Sequence, residues 1–258
     1  GSTTSLTSAT TGGTWSSSNT AVATVNASTG VVTGVAAGSA TITYTVTTNG
    51  CTSNAQATVT VNALPVLASI GGTASTCVGS TTTLTNTTSG GVWTSSATAV
   101  ATVNTITGTV TGVSAGTSTI TYTYTNSNGC VSSVTTTVTI NALPTVAAIT
   151  GTTSVCEGAT TTLSDVTAGG VWTSSNTATA TVNASTGVVT GVAAGSTTIT
   201  YTVTTNGCST SVTTTVTVNA IPVVAAISGT TEVCAGSATS LTSATTGGTW
   251  SSSNTAVA

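Results

Sequence analysis

Six cysteines are the side chains whose type and spacing point most directly to covalent chemistry. Cys77, Cys156 and Cys234 each stand two residues before a glycine, and Cys51, Cys130 and Cys208 each follow an Asn-Gly pair. Thiols that recur in twos point to disulfides, because a zinc site would want Cys-x-x-Cys spacing or histidine and the chain has neither. In a repeating chain three simple pairings exist. One stays within a repeat (Cys77–Cys130, Cys156–Cys208). The second joins nearest neighbours (Cys51–Cys77, Cys130–Cys156, Cys208–Cys234). The third runs forward, Cys77–Cys208.

Other chemistry lacks its reagents. The chain has no Lys, Arg, His, Met or Phe, and its three acids are Glu157, Asp165 and Glu232. The many Ser and Thr hydroxyls therefore have no His or Lys base to activate them. Glu157 and Asp165 fall at opposite ends of one predicted strand, too far apart to serve one cleft as paired carboxylates. Three acids spread over the chain cannot furnish the several hard oxygen ligands of a calcium site at each repeat junction, and the Gly-rich stretches lack the Lys of a phosphate loop. No catalytic, cofactor-binding or metal-ligating residue is assigned. A formal charge of −3 with no cation cannot neutralise phosphates, so nucleic acid is not an expected partner. Apolar residues come singly or in short runs, far below the roughly 18 that a membrane span needs, and no signal-peptide pattern stands at Gly1.

The elements that must position the cysteines follow from repetition. Trp15, Trp93, Trp172 and Trp250 are spaced 78, 79 and 78 residues apart, within Gly-Gly-Thr-Trp or Gly-Gly-Val-Trp. Asn-Ala-Leu-Pro or Asn-Ala-Ile-Pro recurs at 62–65, 141–144 and 219–222, where proline suits the start of an edge strand just past a boundary. The expected domains are 1–62, lacking its first strand, then 63–142, 143–220 and 221–258, the start of a further repeat. Residues 1–23 match residues 236–258 everywhere except Thr3 against Ala238, which fits either a three-domain super-repeat or recombination among neighbours.

Within a repeat, Thr41–Thr47 alternates apolar residues with Thr, the period-2 signature of a strand with one buried face. Asn49-Gly50, Asn128-Gly129 and Asn206-Gly207 follow, predicting tight hairpins because both residues tolerate positive φ. No window has helical periodicity. About seven short strands per repeat predict tandem immunoglobulin-like antiparallel β-sandwiches of about 78 residues, an all-β fold. Trp15, Trp93, Trp172 and Trp250, with Tyr44, Tyr122 and Tyr201, are expected in the cores.

The run Trp15–Val25, followed by Thr29–Tyr44, resembles the bacterial immunoglobulin-like group 2 domain. That resemblance implies the sandwich fold and an extracellular place, on a bacterial cell surface or in a secreted fibre, since such modules build adhesin stalks and large secreted Bacteroidetes proteins. It implies no ligand. The expected function is a structural repeat array giving length, stiffness and lateral self-association, each repeat adding about 35 to 45 Å of rod. Its expected partners are copies of itself, end to end and side by side, because neutral Thr ladders lack the charges that normally protect sheet edges. The alternative is a binding module whose Thr-rich faces or loops recognise host or environmental surface glycans.

The sandwich also orders the cysteine pairings. Cys77 should end the first strand at one pole of its domain, while Cys130 opens the last strand at the opposite pole, on the order of 30 Å away. The far pole of one domain abuts the near pole of the next, so the forward pairing Cys77–Cys208 is favoured and the within-domain pairing is the alternative.

Overall fold

The computed structural model describes residues 1–257; Ala258, the last residue of the expected 221–258 segment, lies outside the described residues. Among the described residues every regular element is a strand. The chain divides into two compact units, Gly1–Leu143 with Asn206–Cys208, and Pro144–Thr205 with Ser209–Ala258.

The first unit holds two repeats. One contributes β1 (Thr3–Ser5), β2 (Thr14–Ser17), β3 (Ala23–Val25), β4 (Val31–Gly34), β5 (Gly38–Thr48) and β6 (Cys51–Val61), in two sheets ordered β1-β4-β3 and β2-β5-β6. The other contributes β7 (Gly71–Gly72), β8 (Ser75–Cys77), β9 (Thr81–Thr85), β10 (Val92–Ser95), β11 (Ala101–Val103), β12 (Thr109–Gly112), β13 (Gly116–Thr125) and β14 (Val131–Asn141). Its sheets are β10-β13-β14-β8 and β11-β12-β9-β7. Alternation along β13 sends Ile120 and Tyr122 inward with Leu84, Trp93, Val110, Val138 and Ile140, and leaves the intervening threonines on the outer face.

The second unit repeats this plan with β15 (Thr150–Gly151), β16 (Ser154–Cys156), β17 (Thr160–Ser164), β18 (Val171–Ser174), β19 (Ala180–Val182), β20 (Val188–Gly191), β21 (Gly195–Thr205) and β22 (Cys208–Asn219). Its sheets are β16-β22-β21-β18 and β15-β17-β20-β19, closed over Leu163, Trp172, Val189, Ile199, Tyr201 and Val216. Residues 221–257 add only the two-residue pair β23 (Ser228–Gly229) and β24 (Leu241–Thr242) and bury no side chain.

One strand pairs parallel in an otherwise antiparallel sheet. β8 runs alongside the end of β14 with Cys77 opposite Asn141, and β16 alongside the end of β22 with Cys156 opposite Asn219. β6 is the terminal strand of its sheet and carries no such neighbour.

The expected tight hairpins form at two of three places. Asn49 and Gly50 (φ 50° and 82°), and Asn206 and Gly207 (φ 52° and 77°), adopt the left-handed conformation that a two-residue turn between right-twisted strands requires. At Asn128-Gly129 the turn is longer. One more residue separates Tyr122 from Cys130 than Tyr44 from Cys51, and the Asn126 carboxamide oxygen gathers the extra loop by accepting from the amides of Asn128 and Cys130, both at 3.0 Å. This extra residue is the origin of the single 79-residue spacing.

Candidate functional site

The aromatic residues predicted for the core meet in cross-strand pairs. Trp15 lies opposite Tyr44, Trp93 opposite Tyr122 and Trp172 opposite Tyr201, each pair with ring centroids 4.6 Å apart and tilted planes. Each tyrosine hydroxyl is tied at both ends of its hydrogen-bonding capacity. Tyr201 donates to the Thr167 carbonyl (2.6 Å) and accepts from the Gly170 amide (2.9 Å). Tyr44 does the same with Thr10 and Gly13, and Tyr122 with Thr88 and Gly91. The second glycine of each Gly-Gly pair is explained here, since a Cβ on Gly170 would stand 2.3 Å from the Tyr201 ring.

Trp93 and Trp172 are 3% and 5% exposed and Trp15 is half-buried, so their rings are packing groups with little face to offer a sugar. Trp250 departs from expectation: it is 59% exposed. Residues 248–250 form no strand.

Of the cysteines, Cys77 and Cys208 form a disulfide with Sγ–Sγ 1.95 Å and Cα–Cα 5.7 Å, which is the forward pairing. It joins the end of β8 to the first residue of β22. Around it, Asn141 Nδ2 donates to the Asn206 carbonyl (3.3 Å), Cys208 Sγ lies 3.9 Å from the Asn141 carbonyl oxygen, and Cys77 Sγ lies 3.8 Å from that of Gly207. The left-handed Asn206-Gly207 turn is thus clasped by Asn141 on one side and Cys77 on the other. Cys51, Cys130, Cys156 and Cys234 are free thiols. Cys130 repeats half of the arrangement. Its Sγ lies 3.8 Å from the Asn62 carbonyl oxygen, and Asn126 Nδ2 donates to the Ala63 carbonyl (3.2 Å).

The acids sit apart. Glu157 Oε1 accepts from the Ala194 amide, 37 residues on, and Asp165 Oδ1 from the Thr167 amide of its own turn, both at 2.7 Å. Asp165 Oδ2 is buried without a partner. In the preceding repeat the counterpart is Asn86, whose Nδ2 donates to the Ala68 carbonyl at 2.8 Å. Sequence reasoning missed this orphaned oxygen, although the Asn-to-Asp difference between repeats is its visible signal. Asp165 also lines an open hollow of about 500 Å³ with Gly169, Gly170 and Ser185. Among the described residues no three His, Cys, Asp or Glu side chains gather to hold a metal ion, and no helix is long and apolar enough to cross a membrane.

Comparison with known proteins agrees with the strand pattern. Residues 2–61 match the family model described as bacterial Ig-like domain (group 2). No curated protein matches the chain. Among solved structures, domains 4 and 5 of the S-layer protein SbsC are similar at 28% identity over 55% of this chain and 82% of that one, with a TM-score of 0.24. A SusE-like surface-located polysaccharide-binding protein from Bacteroides thetaiotaomicron is 17% identical over 81% of this chain and 43% of its own, with a TM-score of 0.36. A C-terminal intimin fragment in complex with its receptor's intimin-binding domain is 17% identical over 74% of this chain and 60% of its own, at 0.28. The strand order and the Trp-centred core agree with this match of residues 2–61 to the bacterial Ig-like domain (group 2).

Proposed function

We propose that this chain is a structural repeat array of a bacterial surface fibre or adhesin stalk, in which repeats 1–62, 63–142, 143–220 and 221–258 supply length and disulfides supply stiffness. The observation that carries this reading is the Cys77–Cys208 bond, which fastens the second repeat to the hairpin of the third across a separation of 131 residues. A cross-link of that span removes much of the freedom of the unfolded and partly opened chain, on the order of 4 to 5 kcal/mol in the loop-entropy account. Copies of the chain are its proposed partners, outside the cell, where disulfides persist. The work of such a protein is mechanical. In the glycan-binding alternative the Thr-rich faces or loops would carry recognition, since the paired indoles are packed against tyrosines.

The test compares the oxidised chain with a Cys77→Ser/Cys208→Ser double variant by small-angle scattering and electron microscopy. The oxidised chain should give a narrow distribution of maximum dimensions, and the double variant a broader and more bent one. Indistinguishable distributions would overturn the stiffening role.

A further inference from the structure

We infer that the outer edge of β14, from Val131 to Thr137, pairs antiparallel with the same edge of a second copy of this chain, joining two four-stranded sheets into one. The inference takes the identity of the partner from the structural-array reading and its geometry from the backbone of β14.

Hydrogen bonds at the two ends of β14 fix which groups stand on that edge. Thr139 donates to the Ala74 carbonyl and the Asn141 carbonyl accepts from Val78, both at 3.0 Å, so the odd-numbered residues face β8. At the other end the Cys130 carbonyl accepts from the Asn126 amide across the hairpin (3.0 Å), so the even-numbered residues face β13. Along a strand this sense recurs at every second residue. β8 reaches only as far as Thr139, which leaves the N–H and C=O groups of Val131, Ser133, Thr135 and Thr137 pointing away from the sheet. Among the described residues no backbone group bonds to them, and all four residues are exposed. Thr217 and Asn219 make the same two contacts, with Thr153 and Glu157, so β22 presents Ser209, Ser211, Thr213 and Thr215 in the same way. Both strands belong to repeats whose two four-stranded sheets are fully formed.

Natural sheets guard such an edge with lysine, proline, a bulge or an inward charge. Between Val131 and Thr137 no residue is charged and none is proline, and the register with β13 runs unbroken from Thr125 opposite Val131 to Gly116 opposite Ile140. An edge on which each outward residue offers one donor and one acceptor is complementary to itself under a two-fold axis. Centred on Val134, the pairing sets Val131 opposite Thr137 of the copy and Ser133 opposite Thr135, and each such pair exchanges two backbone hydrogen bonds. The side chains brought side by side are hydroxyls and one valine, with no like charges opposed.

The full chain, with Cys77–Cys208 formed and the other thiols capped, is followed by residue-resolved amide exchange and by sedimentation velocity over a range of concentrations. In dilute solution the amides of Ser133, Thr135 and Thr137 should exchange rapidly while those of Ser132, Val134 and Thr136 are protected. As copies associate, the odd-numbered set should gain protection of at least about tenfold and the even-numbered set should stay as it was. Thr135→Pro/Thr213→Pro removes an outward donor from each edge without touching the ladders to β13 and β21. It should weaken association by at least about tenfold, equally at low and high salt, because no charge is added. Trp fluorescence checks that the variant is folded, and if it is not, the exchange measurement on the unaltered chain decides alone. A chain that stays monomeric, association that leaves the odd-numbered amides unprotected, or a folded proline variant that associates like its parent would each overturn the inference. So would protection that appears only when a synthetic peptide of residues 131–138 is added, which would make the edge a receptor for extended peptides. All of these outcomes leave the scattering test of Cys77–Cys208 untouched, so the two readings fall separately.

Discussion

The Tyr201 hydroxyl bridges the turn before its own partner strand: it lies 2.6 Å from the carbonyl oxygen of Thr167 while its ring packs on Trp172. The turn that launches β18 is thereby hung from the strand it pairs with, and the Trp is aimed inward by a hydrogen bond 34 residues distant in sequence.

Tyr201→Phe keeps the ring and removes both hydrogen bonds, leaving the part-buried Thr167 carbonyl and Gly170 amide short of a partner. A net loss of about 1 to 3 kcal/mol is expected. Denaturant unfolding followed by Trp fluorescence should show one component moving to lower midpoint, with the components of the other repeats unmoved. A midpoint shift below a few tenths of a kcal/mol would mean that water replaces the hydroxyl.

Gly170→Ala tests the same turn from the other side. Its Cβ would sit 2.3 Å from the Tyr201 ring, so the turn or the ring must move, and overpacking of this kind costs about 1 to 3 kcal/mol. Gly169 has nothing within 4 Å of an added Cβ, and its need for glycine lies in its φ of +83°. Gly169→Asn should therefore be tolerated much better than Gly170→Ala, and equal losses would contradict the close-approach account.

Asp165→Asn should stabilise the second unit. Asn86 shows what the position does when it carries a donor, reaching the Ala68 carbonyl at 2.8 Å, and Ser243 reaches that of Ala225 at 3.2 Å. Asp165 leaves Oδ2 buried and unpaired. Supplying Nδ2 there should raise the unfolding free energy by about 1 kcal/mol, the usual net worth of one such bond. Equal or lower stability on thermal unfolding would show that the carboxylate has a partner in solution.

How much of this was legible in the sequence depended on the range of the interaction. Period-2 alternation around Ile120 and Tyr122, and the Asn49-Gly50 turn, are local and were readable directly. The Trp spacing carried the repeat, and the polar placement of Cys77 and Cys208 carried the disulfide once a sandwich was assumed. What escaped was conditional on neighbours. Trp250 has the same flanking residues as Trp15, yet residues 248–250 form no strand and the indole is exposed. The parallel pairing of β8 with β14 was equally hidden, because a three-residue strand has no pattern of its own and is placed by the strand it joins.

The last prediction concerns association. Thr58 and Thr60 lie exposed on β6, whose inward residues Val59 and Val61 pack on the first core. The outward face they belong to is neutral, and the chain has no lysine whose charge would repel a second copy. The double variant Thr58→Lys/Thr60→Lys adds like charges to every copy without touching the core. Lateral assembly of the chain at low ionic strength, read by sedimentation velocity, should fall sharply in the variant and return on raising the salt, since screening shortens the reach of the added repulsion to about 8 Å at physiological ionic strength. Association that persists unchanged at low salt would show that copies do not meet through this neutral face.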